Sequence, residues 1–390
     1  MLLGIIGAPN KGKSTIFSAL TMVDVPIANY PFTTIKPNRG VAYVSKKCVD
    51  SELGVKCNPR NSICINGTRL IPVEIVDVAG LVPNAHLGKG MGNQFMNDLI
   101  SADAFIQVVD LSGKTDESGN PCNSCDPAKE VKVVRDELAF WLRDIIKKHA
   151  GKLEKRSNGA QALAEILSGF KVSLNDIEEA AEKAYLSLTN INWSDDDMLS
   201  FSRELLKISK PTAVAANKLD ISNKESLEKL KKELEGTLVV GCSGAAELTL
   251  RKAAKSGIIE YVPGASSFEV IGKPNEEQRR ALEYLADFIK KNNGTGVQEL
   301  INKVVFDLLK MIVAYPVEDE NKYTDHYGNV LPDALLLKDG TTAIELAGII
   351  HTSLAKNMLY AIDVKRKVRI SKDYKIKDND VIKIISASKN

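Results

Sequence analysis

Fifteen residues at the N-terminus, MLLGIIGAPNKGKST, constrain the fold more than any other stretch of the chain. Leu2, Leu3, Ile5 and Ile6 have the length and branching of a buried parallel strand. Gly7-Ala8-Pro9-Asn10-Lys11-Gly12-Lys13-Ser14 follows at once and matches G-x-x-x-x-G-K-[ST], the spacing of a phosphate loop. Thr15, Ile16, Phe17, Ala19 and Leu20 then read as the first turns of a helix. Gly7 and Gly12 let the backbone curl with its N–H groups inward, a nest for polyphosphate. The helix N-terminus adds unpaired N–H groups and its positive dipole end. Lys13 can reach the β- and γ-phosphates, and Ser14 can ligate Mg²⁺. A strand before the loop and a helix after it separate this match from a chance glycine turn.

A second element supports the metal. Leu70–Val78 reads as a strand that delivers Asp77-Val78-Ala79-Gly80. A carboxylate at the end of a core strand beside a phosphate loop holds Mg²⁺ through water, and the Gly80 N–H can approach the γ-phosphate. Between the two lies Asn29–Asn38, kept extended by Pro31 and Pro37, where a nucleotide switch segment would sit. Thr34, with Thr33 as the alternative, can complete the Mg²⁺ shell there. Lys13, Thr34 and Gly80 are thus the groups expected at the reacting phosphate. Leu81 occupies the place where a Ras-like enzyme has its water-orienting glutamine. The glycine-rich segment 88–95 is expected to form a second switch, and His86 just before it reads as a solvated histidine.

The base is read farther on. Thr212–Ala216 is a strand leading into Asn217-Lys218-Leu219-Asp220. The Asp220 carboxylate can accept from the guanine ring N–H and exocyclic amine together, a donor pair that adenine lacks. Asn217 can bond the purine and brace the phosphate loop, while the Lys218 stem covers one base face. GTP is therefore favoured over ATP. After a strand at Leu238–Gly241, Ser243-Gly244-Ala245 resembles a loop whose backbone N–H groups donate to the guanine carbonyl, without its usual middle alanine and final lysine.

The chain has 390 residues and a net charge of +2, enough for two or three domains and without a global basic field. No apolar run spans a bilayer and the N-terminus has no signal pattern, so a cytoplasmic protein is expected. The organisation expected is α/β: a P-loop nucleotide domain at 1–112 and 209–313, an inserted α-helical domain at 113–208, and a β-grasp module at 314–390. Residues 246–293 read as helices around a polar link near Pro263-Gly264, and 294–309 as a closing helix; 342–354 reads as one helix of the last module. Lys365, Arg366, Lys367, Arg369, Lys372, Lys375 and Lys377 make that module locally basic, a solvated strand edge or a contact for RNA phosphates. Of the six cysteines, Cys122 and Cys125 have metal or redox spacing, but no second pair follows in sequence. Cys48, Cys57 and Cys64 lie in a polar insertion at 46–67 and would have to approach them in space to complete a zinc site. Reduced, ordinary loop thiols are the expectation.

Taken together, GAPNKGKST, NYPFTTIKPNRG, DVAGLVPNAHLGKGMGNQF, NKLD and LKDGTTAIELAGIIHTSL resemble the Obg-related GTPases in their YchF and Drg branches, with a C-terminal TGS domain. The resemblance implies a P-loop GTPase whose catalytic glutamine is replaced by a hydrophobic residue, matching Leu81. It implies that Asn10 is a candidate K⁺ ligand beside the phosphates, and that the partner is the ribosome or another RNA-containing complex. The YchF branch often reads ATP through an altered base-reading element, whereas this chain keeps Asp220. Three functions stay open: a slow Mg²⁺-dependent GTPase switch, an ATPase of the same fold, and a nucleotide-bound scaffold with negligible turnover.

Overall fold

The computed structural model describes residues 1–22, 38–78, 80, 100–153, 158–189 and 191–387. Thr33, Thr34, Leu81, His86 and the segment 88–95 lie outside the described residues.

Among the described residues, one seven-stranded sheet runs in the order β2 (Arg39–Lys47), β4 (Thr68–Asp77), β1 (Leu2–Ile6), β5 (Ala104–Asp110), β6 (Thr212–Asn217), β7 (Val239–Gly241), with β3 (Ile63–Ile65) antiparallel on β4. β1 pairs in parallel with both β4 and β5, and β5–β6 and β6–β7 are also parallel. Every residue of β1 and β5 is buried, as strands covered on both faces require. The register Ile5↔Asp77 brings Asp77 level with the last residues before the phosphate loop. On one face Leu2, Ile6, Val76 and Phe105 pack with Val134 and Leu138; another core joins Val109, Val214 and Ala216 to Leu250, Phe288 and Ile289.

The described residues of 127–208 are mostly helical, as their periodicity suggests. Helices Pro127–Lys147, Leu174–Lys183 and Asp195–Ser209 enclose Trp141, Phe170, Ile177 and Phe201. Ser194 caps the last of these in a reciprocal box with Asp197. The link expected near Pro263-Gly264 between the helices of 246–293 is present, and it also holds two short strands. The helix Gly244–Lys255 and the helix Glu276–Asn292 flank a two-stranded ribbon, β8 (Ile259–Glu260) and β9 (Glu269–Val270). The closing helix is shorter than expected, Val297–Lys303, and continues as a π-helical turn over Val304–Leu308.

By its contacts the chain divides into two compact units. Of the described residues, the first contains 1–22, 38–41 and those from 74 to 300; the second groups 42–73 with 301–387. In the second, the sheet order is β11 (Leu335–Lys338), β10 (Met311–Pro316), β14 (Asp380–Ser386), β12 (Met358–Asp363), β13 (Val368–Ile370). β10 and β14 are parallel and the other pairs antiparallel, the pattern of a β-grasp, over a core of Ala314, Leu337, Leu346 and Ile382. The single helix expected at 342–354 is two, Ala343–Ile350 and Thr352–Asn357, because His351 leaves helical geometry (φ −164°, ψ 137°). No helix among the described residues is long and apolar enough to cross a membrane.

Candidate nucleotide site

The loop after β1 has the backbone that its glycines permit. Gly7 (φ 139°) and Gly12 (φ 88°) both lie in the left-handed half of backbone space. A Cβ on Gly12 would stand 2.3 Å from Asn217 Nδ2, so this position must be bare for the loop to meet the end of β6. The helix α1 (Lys13–Thr21) starts directly after it, and among the described residues no side chain caps its N-terminus. Its first N–H groups are thereby left for an anion.

Around this nest the polar groups are ordered. Ser14 Oγ donates to Asp77 Oδ2 at 2.7 Å, while Asp77 Oδ1 is buried without a hydrogen-bond partner among the described residues. An orphaned carboxylate oxygen beside a hydroxyl suits a hard, oxygen-seeking cation, so these residues fit Mg²⁺. Lys13 Nζ folds back onto the Ala8 carbonyl at 2.9 Å. Burial lowers the pKa of this amine, and the charges of Asp77 and then Glu130 oppose that. Gly80 is exposed, with Pro9 so near that a Cβ would lie 3.1 Å from its ring.

Asn217 ties the two halves of the site together. Its Nδ2 donates to the Lys11 carbonyl at 2.8 Å, and its Oδ1 accepts from Gly244 N at 3.0 Å. Lys218, at φ 67°, sends Nζ to Asp110 Oδ2 at 2.8 Å, which pins its stem. Asp110 is further held by Ser112 and by Thr115 Oγ1 at 2.7 Å. The Asp220 carbonyl accepts from Tyr284 Oη at 3.0 Å. In the third loop the expectation needs correction. Ser243 N is already engaged with the Thr295 carbonyl at 2.9 Å, and its hydroxyl caps the following helix. With Gly244 N on Asn217, Ala245 is the exposed member of the trio.

Lys11 is fixed from outside the nest. Its side chain is fully buried and points away from the nest. Nζ donates to Thr115 O (3.1 Å), Thr115 Oγ1 (2.9 Å) and Asp116 O (2.7 Å), and pairs with Glu130 Oε2 at 2.9 Å. Asn10 Nδ2 donates to Gly119 O at 2.9 Å. The segment 113–120 therefore clamps the phosphate loop from outside. Asp110, Thr115 and Glu130 escaped the sequence reading; only the first-turn position of Glu130 in its helix hinted at a fixed place. The same segment leads into Cys122 and Cys125, which form a disulfide rather than the expected free thiols.

Burial raises the Glu130 carboxyl to about 7, against the pull of Lys11. A carboxyl that titrates near 4.5 when unfolded and near 7 when folded binds its proton more tightly in the fold. Its stabilising contribution is complete below pH 4.5 and disappears as pH rises through 7. The melting temperature of the nucleotide-free protein should thus fall by several degrees between pH 5 and 8. Glu130→Gln should flatten that slope in thermal melts across the range; an unchanged slope would assign it elsewhere.

Three stretches of the chain match known families. Residues 2–149 match the 50S ribosome-binding GTPase family, 215–319 the Obg-like GTPase YGR210-like, G4 motif-containing domain, and 327–386 the TGS domain. The chain is 51% identical over 395 residues to the uncharacterized GTP-binding protein MJ1332 of Methanocaldococcus jannaschii, covering 100% of both. It is 28% identical to the ribosome-binding ATPase YchF of Buchnera aphidicola, covering 97% of each. Among solved structures, a GTP binding protein from Pyrococcus horikoshii OT3 superposes with a TM-score of 0.81 at 40% identity, over 99% of this chain and 100% of that one.

Proposed function

Because the chain belongs to the Obg-like GTPases, in the group of MJ1332 with a YGR210-like G4 domain and a C-terminal TGS domain, related to YchF, we propose that it binds GTP, hydrolyses it slowly with Mg²⁺, and acts as a nucleotide-dependent switch on the ribosome. The observation that carries the base assignment is Asp220, held by its own backbone carbonyl at the end of an Asn217-braced segment. Nucleotide contacts fall to the loop Gly7–Thr15, with the Lys13 amine exchanging its Ala8 carbonyl for phosphate oxygens. Ser14, Asp77 and Thr34 would hold Mg²⁺, which neutralises phosphate charge when bound. Asn10, with Nδ2 spent on Gly119, keeps Oδ1 as the candidate K⁺ ligand. Gly80 would report the γ-phosphate. The three-part division at 1–112 with 209–313, 113–208 and 314–390 is the working scheme for a nucleotide domain, its helical insert and the docking module.

The ribosomal reading rests on the name of the Buchnera relative and on the basic 365–377 stretch. In that stretch Lys365 is paired with Glu52 at 2.6 Å and Arg366 with Asp363, while Lys367, Lys372, Lys375 and Lys377 are exposed. Such lysines suit RNA phosphates.

That relative's name also favours a second reading, an ATPase. Competing titrations separate them. GTP is expected to bind at least tenfold tighter than ATP, since a carboxylate facing adenine meets one ring acceptor and no donor pair. Tighter ATP binding would establish the ATPase. Single-turnover hydrolysis with added K⁺ or ribosomes tests the switch; no stimulation by either would leave a nucleotide-bound scaffold.

A further inference from the structure

Three cysteines and one aspartate converge within the second unit. Cys48 follows β2, Asp50 opens the short helix Asp50–Leu53, Cys57 lies in the loop after it, and Cys64 is the middle residue of β3. Cys48 Sγ is 3.8 Å from Cys57 Sγ; Asp50 Oδ2 is 3.2 Å from Cys57 Sγ and 3.8 Å from Cys64 Sγ. All four donor atoms lie within 4.8 Å of one another. A tetrahedral ion with Zn–S bonds of about 2.3 Å sets its sulfurs about 3.8 Å apart. A disulfide needs sulfurs about 2 Å apart and can join only two of the three. A cluster of iron and sulfide would spread the donors farther than this.

The surroundings hold the donors in place. Asp50 Oδ1 accepts from Ser51 N at 2.7 Å, which orients the carboxylate and leaves Oδ2 toward the sulfurs. Cys48 N is fixed on Gly67 O at 2.8 Å. Arg69, fully buried, donates from Nη2 to Leu331 O at 2.6 Å, and its charge acts on Cys48 and Cys57. Three thiolates and a carboxylate around a divalent ion leave two negative charges, one of which this guanidinium offsets. Thiolate-rich donors favour zinc over the hard cations.

We propose that Cys48, Asp50, Cys57 and Cys64 bind one zinc ion, which staples the 48–64 segment in the conformation that engages the β-grasp. Binding forms three Zn–S bonds and one Zn–O bond, and the three thiol protons pass to solvent. With all four positions filled by protein the site is structural. What it holds is visible in the loops between the ligands. Asn58 N donates to Val330 O at 3.1 Å, Arg60 N to Pro332 O at 2.8 Å, and Arg60 pairs with Asp333 at 2.9 Å.

The test uses the full-length chain, reduced and loaded with zinc, then dialysed. Elemental analysis should give one zinc per chain, and Co²⁺ replacement should give the intense visible bands of a tetrahedral thiolate site. Cys57→Ser and Cys64→Ser should each lower retained zinc at least tenfold, while the Cys122→Ser/Cys125→Ser double variant keeps it. Should the serine variants not fold, the unaltered chain still decides: a strong chelator should lower its melting temperature, and zinc should restore it. Failure to retain zinc, an octahedral cobalt spectrum, or zinc retention unaffected by both serine variants would overturn the proposal.

Discussion

Replacing Asp220 by Asn is expected to weaken GTP binding by about two to four orders of magnitude and to bring xanthosine triphosphate in as the preferred ligand. The carboxylate offers two acceptor oxygens to the paired donors of guanine. Hydrogen bonds to a charged group contribute about 1.5–3 kcal/mol each, and about 1.4 kcal/mol is a factor of ten. Asparagine keeps one acceptor and turns the other into a donor, which faces the guanine amine but complements the xanthine carbonyl. The fold should be indifferent, because Asp220 is held through its backbone carbonyl by Tyr284. Competition binding against a fluorescent nucleotide measures both effects. Retained guanine preference would mean that the base lies elsewhere.

Lys13→Met should have the second largest effect, a fall of about 10²–10³ in single-turnover hydrolysis. The amine is the one side-chain cation of the loop directed at the nest, since Lys11 is turned into the protein toward Glu130. Burial leaves that amine poorly hydrated, and its present acceptor is the Ala8 carbonyl. Phosphate oxygens would replace that carbonyl at little desolvation cost. Arginine should not rescue, since a planar guanidinium does not fit a point-charge role. A loss smaller than tenfold in a variant of unchanged melting temperature would remove Lys13 from the reaction.

These two residues stand out in the sequence for a physical reason. A phosphate loop is specified by local backbone demands: Gly7 and Gly12 adopt positive φ, and strand and helix flank them directly. Asn217, Lys218 and Asp220 likewise follow a buried strand whose end fixes their direction. The side chain of Lys11 was not legible, because a loop has no periodic face to say which way a residue points. Its partners Thr115 and Glu130 are more than a hundred residues away in the chain. Cysteine pairing failed for a similar reason: spacing set Cys122 and Cys125 apart from the rest, but only folding decides that they bond each other while Cys48, Cys57 and Cys64 gather on Asp50. The break at His351 was hidden because the apolar period of 343–357 continues across it. The grouping of 42–73 with 301–390 is likewise a long-range matter on which local composition is silent.

The amide of Asn217 spans the gap between Lys11 and Gly244 with one donor and one acceptor. A single planar group cannot rotate to suit one neighbour without deserting the other. Tripolyphosphate alone, with no base attached, should therefore slow deuterium uptake at the Gly244 amide, and a nucleoside alone should quiet the loop at Lys11. Thermodynamic reciprocity makes those two assistances equal in free energy. Ligand fragments would then bind the protein more tightly together than their separate affinities allow, even with the covalent link between them cut.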